Sequence, residues 1–266
     1  MKINLNADLG ESFGAWTMGE DEALLQVVRS ANIACGFHAG DPLVMRNTVR
    51  TALAAGVSLG AHPAYPDVQG FGRRPMKMAP TELEAVVIYQ VGALAGMAAA
   101  EGGRVTHVKP HGALNNQACE DAVLADAVAH AVRAVDPELI LLAPVLSELY
   151  KAGERAGLRV AAEIFADRAY TDTGMLVPRG QPSAVIHDHD QLVAHVLRML
   201  DAGGVVSQSG KVLPTAMHSI CVHGDTPGAV ANAGRLRAAL EASGREVVSL
   251  SDALQDAGVQ ALSSTL

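Results

Sequence analysis

The sequence predicts an α/β protein folded as one distorted (β/α) barrel of about seven strands, spanning residues 1–266 as a single domain. Three observations carry this expectation. Short β-prone runs alternate with helix-length segments from end to end, the order of repeated β/α units and not of sheets followed by bundles. A length of 266 residues suits a barrel and lies near the upper end of what one core supports. No internal repeat, low-complexity tract or Pro/Ser-rich linker divides the chain.

The elements follow in order. A strand is read at 2–8 and a helix at 20–29; a strand at 31–35 leads to a helix at 42–55. Asp41-Pro42 marks the start of that helix, an acid at the cap and a proline at the first helical position, and Gly56 marks its end. A strand at 57–61 and a long polar connection at 62–79 precede a helix at 80–101, where Thr81 and Glu84 have capping-box spacing. Strands at 105–109, 139–143 and 160–164 alternate with helices at 118–134 and 147–156, the second stopped by Gly157. A second long connection, 165–186, leads to a helix at 187–202, a strand at 218–222 and a helix at 227–242. Glu246 to Leu250 offers one more strand, and the tail from Gln260 reads as a frayed end. Both long connections hold more Gly, Pro and charge than a turn requires, so they are read as functional loops.

Composition narrows the function. Hydrophobic residues make up 49% of the chain and aromatics only 3%, so the core is aliphatic. A net charge of −8 without any basic stripe excludes a nucleic-acid partner from the expectation. Cys35, Cys119 and Cys221 are odd in number, widely spaced and contain no Cys-x-x-Cys pair, which suits reduced thiols in the cytoplasm. The first residues lack the apolar run of an export signal. The uncharged stretch from Ala85 to Ala100 is shorter than the roughly 20 residues of a membrane span, so it reads as a buried helix and no membrane is expected.

In a β/α barrel the active site lies at the C-terminal ends of the strands, and here nearly every strand ends in reactive side chains. Asn4, Asn6 and Asp8 share one face of the first strand, and Glu11 follows in the loop. The second strand runs into Cys35-Gly36-Phe37-His38-Ala39-Gly40-Asp41, and the third ends in Gly60-Ala61-His62-Pro63 with Tyr65 and Asp67 beyond. The fourth carries His107, Lys109 and His111, then Asn115 and Asn116; the sixth brings Glu163, Asp167 and Arg168; the seventh ends in His223-Gly224-Asp225. The fifth, Leu139 to Ala143, is wholly apolar, so the polarity of the others is selective. Each group also has a plain structural role: a hydrogen-bonded histidine, Asp41 as a helix cap, Glu11 at a helix start, Arg73 and Arg74 as surface charges. Together, however, they would cost several kcal/mol to bury unpaired, so they form a satisfied network or meet a polar ligand.

This mixture suits hydrolysis at an acyl nitrogen, with carboxylate or imidazole to activate water and Lys or Arg to offset developing negative charge. Water is the expected nucleophile, with Cys35 beside His38 a minor covalent candidate. Gly210-Lys211 lacks the rest of a phosphate loop, with Val205 where Gly and Val212 where Ser or Thr is needed. If ATP is used, another polypeptide is expected to bind it.

The blocks Asn4-Leu5-Asn6-Ala7-Asp8-Leu9-Gly10-Glu11, Asn32 through Asp41, Gly60-Ala61-His62-Pro63, Lys109-Pro110-His111-Gly112-Ala113-Leu114 and His223-Gly224-Asp225 resemble the LamB/YcsF family. So does Glu163 through Tyr170, continuing to Leu176-Val177-Pro178-Arg179. The resemblance implies a barrel of the glycoside hydrolase/deacetylase type. It also implies ATP-dependent cleavage of 5-oxoproline to glutamate together with two partners, subunits B and C of a 5-oxoprolinase, which would hold most of the ATP and its Mg. Asp8 and Glu163 are then the expected general bases, His62 and His111 proton shuttles and Lys109 the charge stabiliser. Arg73 or Arg168 would grip the substrate carboxylate, with Asn6, Glu11, His38, Asp41, Asn115, His223 and Asp225 completing the substrate site.

Two other readings stay open. A metal-dependent deacetylase or sugar hydrolase would use Asp8, His38 and His62 as ligands of a divalent ion. A non-catalytic 5-oxoproline-binding protein would only support its partners, a role that needs no such convergence of His, Lys and carboxylate. Self-association is also left open.

Overall fold

The structure, a computed structural model, describes residues 1–222 and 228–263, with side chains as far as Asp256. Six strands open a parallel sheet in chain order: β1 (Lys2–Leu9), β2 (Ser30–Ala34), β3 (Ser58–His62), β4 (Val105–Val108), β5 (Ile140–Pro144) and β6 (Arg159–Phe165). A small antiparallel hairpin, β7 (Gly204–Val206) and β8 (Val212–Pro214), stands apart from the sheet. Then β9 (Ser219–Val222) pairs with β6 on one side and returns to β1 on the other, which closes a seven-stranded barrel. The additional strand expected after 245 forms as β10 (Glu246–Val248), but only as three rungs beside the first residues of β1, below the barrel's polar end.

The helices are α1 (Asp21–Leu25), α2 (Pro42–Ala54), α3 (Pro80–Ala100), α4 (Gly112–Glu120), α5 (Ala122–Val135), α6 (Glu148–Arg155), α7 (His189–Ala202), α8 (Ala229–Ala242) and α9 (Leu250–Ser263). Asp41 caps α2 as expected, accepting from Leu43 N and Val44 N at 2.8 and 3.1 Å. Gly56 and Gly157 take φ of 68° and 72° just past α2 and α6, a conformation that costs glycine nothing.

Four expectations are corrected. Thr81 and Glu84 form no capping box, because α3 begins one residue earlier with Pro80 in its first turn and no side-chain cap; proline has no N–H to satisfy there. The helix read at 118–134 is two helices, since Asp121 ends α4 and caps α5 by accepting from Val123 N and Leu124 N. The first helix spans five residues instead of ten, because Gln26 already turns back on Ala23 and Leu24. The backbone from Gln260 to Ser263, read as part of a frayed end, continues helix α9.

Alternation along β1 sorts the interior. Ile3, Leu5, Ala7 and Leu9 join the core shared with Leu24, Met45 and Val49 of the surrounding helices; each side chain of leucine size contributes roughly 1.5–3 kcal/mol on burial. Inside the barrel, Ile140, Leu142 and Ala161 pack against Leu250 of α9 as a small separate apolar cluster. The remaining interior is polar. Helix α3 is long and apolar enough to cross a membrane by length and composition. Here it lies along the barrel, where buried Gln90 donates to Ala64 O and accepts from Ala64 N, both at 2.9 Å.

Candidate active site

The polar interior is organised by an asparagine. Asn32, mid-strand in β2, donates to Asn6 Oδ1 at 2.7 Å and Asp8 Oδ1 at 2.8 Å, while its own Oδ1 faces His107 Nε2 at 3.1 Å. Asn6 in turn donates to Glu163 Oε1 at 2.9 Å and Ser219 Oγ at 2.8 Å, linking β1, β6 and β9. The His107 ring passes so close to Gly60 that a Cβ there would lie 2.1 Å from Nε2. Glycine on β3 is therefore required by the packing of β4.

Lys109 sits on this layer. The β4 ladder continues beyond the strand, with Lys109 N on Ala61 O at 2.9 Å and His111 N on Pro63 O at 2.8 Å, which keeps both side chains at the barrel mouth. Lys109 Nζ lies 3.0 Å from Asp8 Oδ1, 3.1 Å from Glu163 Oε1 and 3.0 Å from Cys221 Sγ. Burial alone would discharge the ammonium, but Asp8, Cys221 and Glu163 outweigh it and hold Lys109 well above its ordinary 10.5. For Glu163, with no exposed surface, burial wins and raises the carboxyl above its ordinary 4.5 despite Lys109.

Over Lys109 the imidazoles gather. His62 Nδ1 faces the Lys109 carbonyl at 2.6 Å, and its Nε2 lies 3.3 Å from Asp8 Oδ2 and 3.0 Å from His111 Nδ1. His111 Nε2 faces the Phe71 carbonyl at 2.8 Å. Phe71 presents that carbonyl from a left-handed backbone, φ 54°, an uncommon conformation for a bulky residue. His38 stacks on His111 at 3.8 Å between centroids, with Nε2 3.0 Å from Glu11 Oε1. Burial drives both His38 and His111 well below 6.5; His62 lowers each further, as do His38 for His111 and Arg73 for His38, against the upward pull of Asp8 on His38 and of Glu11 and Asp8 on His111. Both rings are thus neutral at pH 7. One donor atom each from Glu11, His38, His62 and His111 lie within 4.8 Å of one another, a set able to hold a metal ion.

A cavity of about 460 Å³ opens onto Asp8, Glu11, His62, Lys109 and His111, and its wall includes Arg73, Asn115, Arg168, Tyr170 and Arg179. Asn115 Oδ1 is buried without a hydrogen-bond partner among the described residues. Arg168 donates to Val177 O at 2.6 Å and Ala184 O at 3.3 Å, so it ties the 165–186 loop together beside the cavity. Arg73 rests over the Phe71 ring at 5.1 Å.

The structure thus brings Asn6, Asp8, Glu11, His38, His62, Lys109, His111 and Glu163 to one end of the barrel, with Arg73, Asn115 and Arg168 around the opening. Glu163 lies behind Lys109 and does not line the cavity. Asp41 does not line it either: the two helix N–H groups and Gly14 N, at 2.7 Å, occupy its carboxylate. His223 and Asp225 lie outside the described residues. The metal-donor set differs from the one expected, because Asp8 gives Oδ1 to Lys109 while Glu11 and His111 stand closer to His38 and His62. Asn32, Ser219, Cys221, Tyr170 and Arg179 were not singled out from the sequence as site residues. The signal for Asn32 was present, one amide inside the apolar strand Ser30-Ala31-Asn32-Ile33-Ala34.

Residues 3–255 match the LamB/YcsF family. A protein of Azoarcus sp. (strain BH72), named as a subunit of 5-oxoprolinase, is 80% identical over 94% of this chain and 98% of its own length. One of the same name from Methylococcus capsulatus is 57% identical over 93% of this chain and 95% of its own. The crystal structure of the lactam utilization protein from Thermus thermophilus superposes with a TM-score of 0.89 at 44% identity, covering 94% of this chain and 100% of that one.

Proposed function

The chain belongs to the LamB/YcsF family, and from that membership we propose that it opens the lactam ring of 5-oxo-L-proline to yield L-glutamate, in an ATP-driven reaction shared with partner subunits B and C. The names of its relatives, a 5-oxoprolinase subunit in two bacteria and a lactam utilization protein in a third, support the substrate. The observation that carries the chemistry is the grouping of Asp8, His62 and Lys109 on one wall of the cavity.

A five-membered lactam is a poor electrophile with a poor leaving group. Phosphoryl transfer from ATP to the lactam oxygen, with ATP and Mg held mainly by the partners, would activate its carbonyl carbon. Water then adds to that carbon while Asp8 Oδ2 removes a proton. The carbon–nitrogen bond breaks as the added hydroxyl becomes a carbonyl and releases its hydrogen to solvent, and the first proton, relayed through His62, reaches the departing nitrogen, which becomes the amino group. The acyl phosphate left behind is cleaved by a second water to glutamate and phosphate. Lys109, held charged by its carboxylates, offsets the negative charge that develops at the reacting carbon. Glu163 fixes Lys109 and does not meet substrate. Asn115 Oδ1 is the acceptor for the lactam N–H, and Arg73 with Arg168 grips the substrate carboxylate.

The test is reconstitution. The purified chain is mixed with ATP and 5-oxoproline, with and without the two partners, and glutamate and phosphate are measured together. Equal release of both, only in the full mixture, is the expected result; full release by the partners without this chain rules the reading out.

A further inference from the structure

We propose that Glu11, His38, His62 and His111 form a binding site for one divalent transition-metal ion of the zinc or cobalt type. Backbone carbonyls set the tautomers. His62 Nδ1 donates to Lys109 O and His111 Nε2 donates to Phe71 O, at 2.6 and 2.8 Å, so the hydrogens on these two nitrogens point away from each other. The other ring nitrogens, His62 Nε2 and His111 Nδ1, therefore face each other at 3.0 Å. Glu11 Oε1 lies 3.4 Å from the same His111 nitrogen and Asp8 Oδ2 3.3 Å from the same His62 nitrogen. Four atoms able to ligate a cation thus converge.

Such a cluster repels itself unless a cation sits within it. A single proton satisfies one pair; a divalent ion satisfies all the donors at once. The spacing suits an ion: two nitrogens each about 2.1 Å from a zinc-type cation lie roughly 3.0–3.4 Å apart at angles of ~90–110°. His38 adds a third imidazole, because its Nδ1 has no partner among the described residues and is free to carry the proton while Nε2 binds. Mixed imidazole and carboxylate donors select first-row transition ions over calcium or magnesium. A carbonyl behind each of two ligand rings is also the usual support of a metal-bound histidine. When bound, the ion would supply a Lewis acid beside Asp8. The site stands on the donor geometry; an ion bound at His62 Nε2 takes that nitrogen out of the proton relay, so the ion and the relay belong to different states of the chain.

The purified full chain is stripped with chelator, then titrated with Zn²⁺ by calorimetry and with Co²⁺ by visible absorption. One ion per chain and cobalt bands typical of nitrogen ligands are expected. Glu11→Gln and His38→Gln, each confirmed folded by circular dichroism, should weaken binding more than about tenfold, whereas Asp41→Asn should leave it unchanged. Absence of binding to the wild-type chain, or wild-type affinity in both site variants, overturns the proposal. If Glu11→Gln does not fold, the His38→Gln titration alone decides.

Discussion

Lys109 and Asp8 form an ion pair of 3.0 Å at the barrel mouth, in which the lysine side chain is 3% exposed and the aspartate 14%. The ammonium is structural in its burial and the carboxylate is the half that reaches the cavity. Replacing Lys109 by Met leaves Asp8 and Glu163 as uncompensated charges. Chemical denaturation should show a loss of about 3–5 kcal/mol, and the reconstituted complex should lose turnover.

Asn32 sets the position of that pair from behind. In Asn32→Ala, Asn6 Oδ1 and Asp8 Oδ1 each lose one donor and keep Lys109 Nζ, at 3.4 and 3.0 Å, and each hydrogen bond lost costs about 0.5–1.5 kcal/mol. The expected result is a lower denaturation midpoint together with a fall in kcat that exceeds any change in KM.

Gly60 tests the packing between β3 and β4. The Cβ of Gly60→Ala would collide with His107, an overpacking expected to cost about 1–3 kcal/mol. Adding His107→Ala removes the collision, so the double variant should recover part of the loss in a thermal melt. Additive losses would contradict this contact.

Asp67 links stability of the 62–79 loop to pH. Hydrogen bonding from Arg74 holds its carboxyl below the ordinary 3.8. A group whose folded pKa is depressed stabilises the fold above its unfolded pKa and loses that contribution as pH falls through the folded one. The stability difference between wild type and Asp67→Asn should therefore be constant above about pH 5 and shrink below the ordinary carboxylate range. A difference that grows on acidification would contradict the assignment.

The barrel was readable because strand alternation is a short-range rule: Asn4, Asn6 and Asp8 share a face whatever lies around them. The gathering of His62, Lys109 and His111 with them followed from topology, since every parallel strand ends on the same side. The seven strand runs were readable, but not the closing pairings of β9 with both β6 and β1, contacts between segments far apart in the chain. The partner of Glu163 was hidden for the same reason. Asp41 had a local use readable from Asp41-Pro42, two N–H groups of α2, whereas Gly14 N on Asp41 and Lys109 on Glu163 are contacts that no local pattern displays. Metal-donor choice turned on tautomers fixed by the carbonyls of Lys109 and Phe71, which no sequence pattern displays.

The central claim is that Asp8 performs proton transfer in ring opening on this barrel. Single-turnover glutamate formation should be compared for complexes reconstituted with wild-type and Asp8→Asn chains, with 5-oxoproline binding measured on the same samples. A fall of about 10²–10⁴-fold with binding retained is predicted. Undiminished glutamate formation by the Asp8→Asn complex would contradict the account.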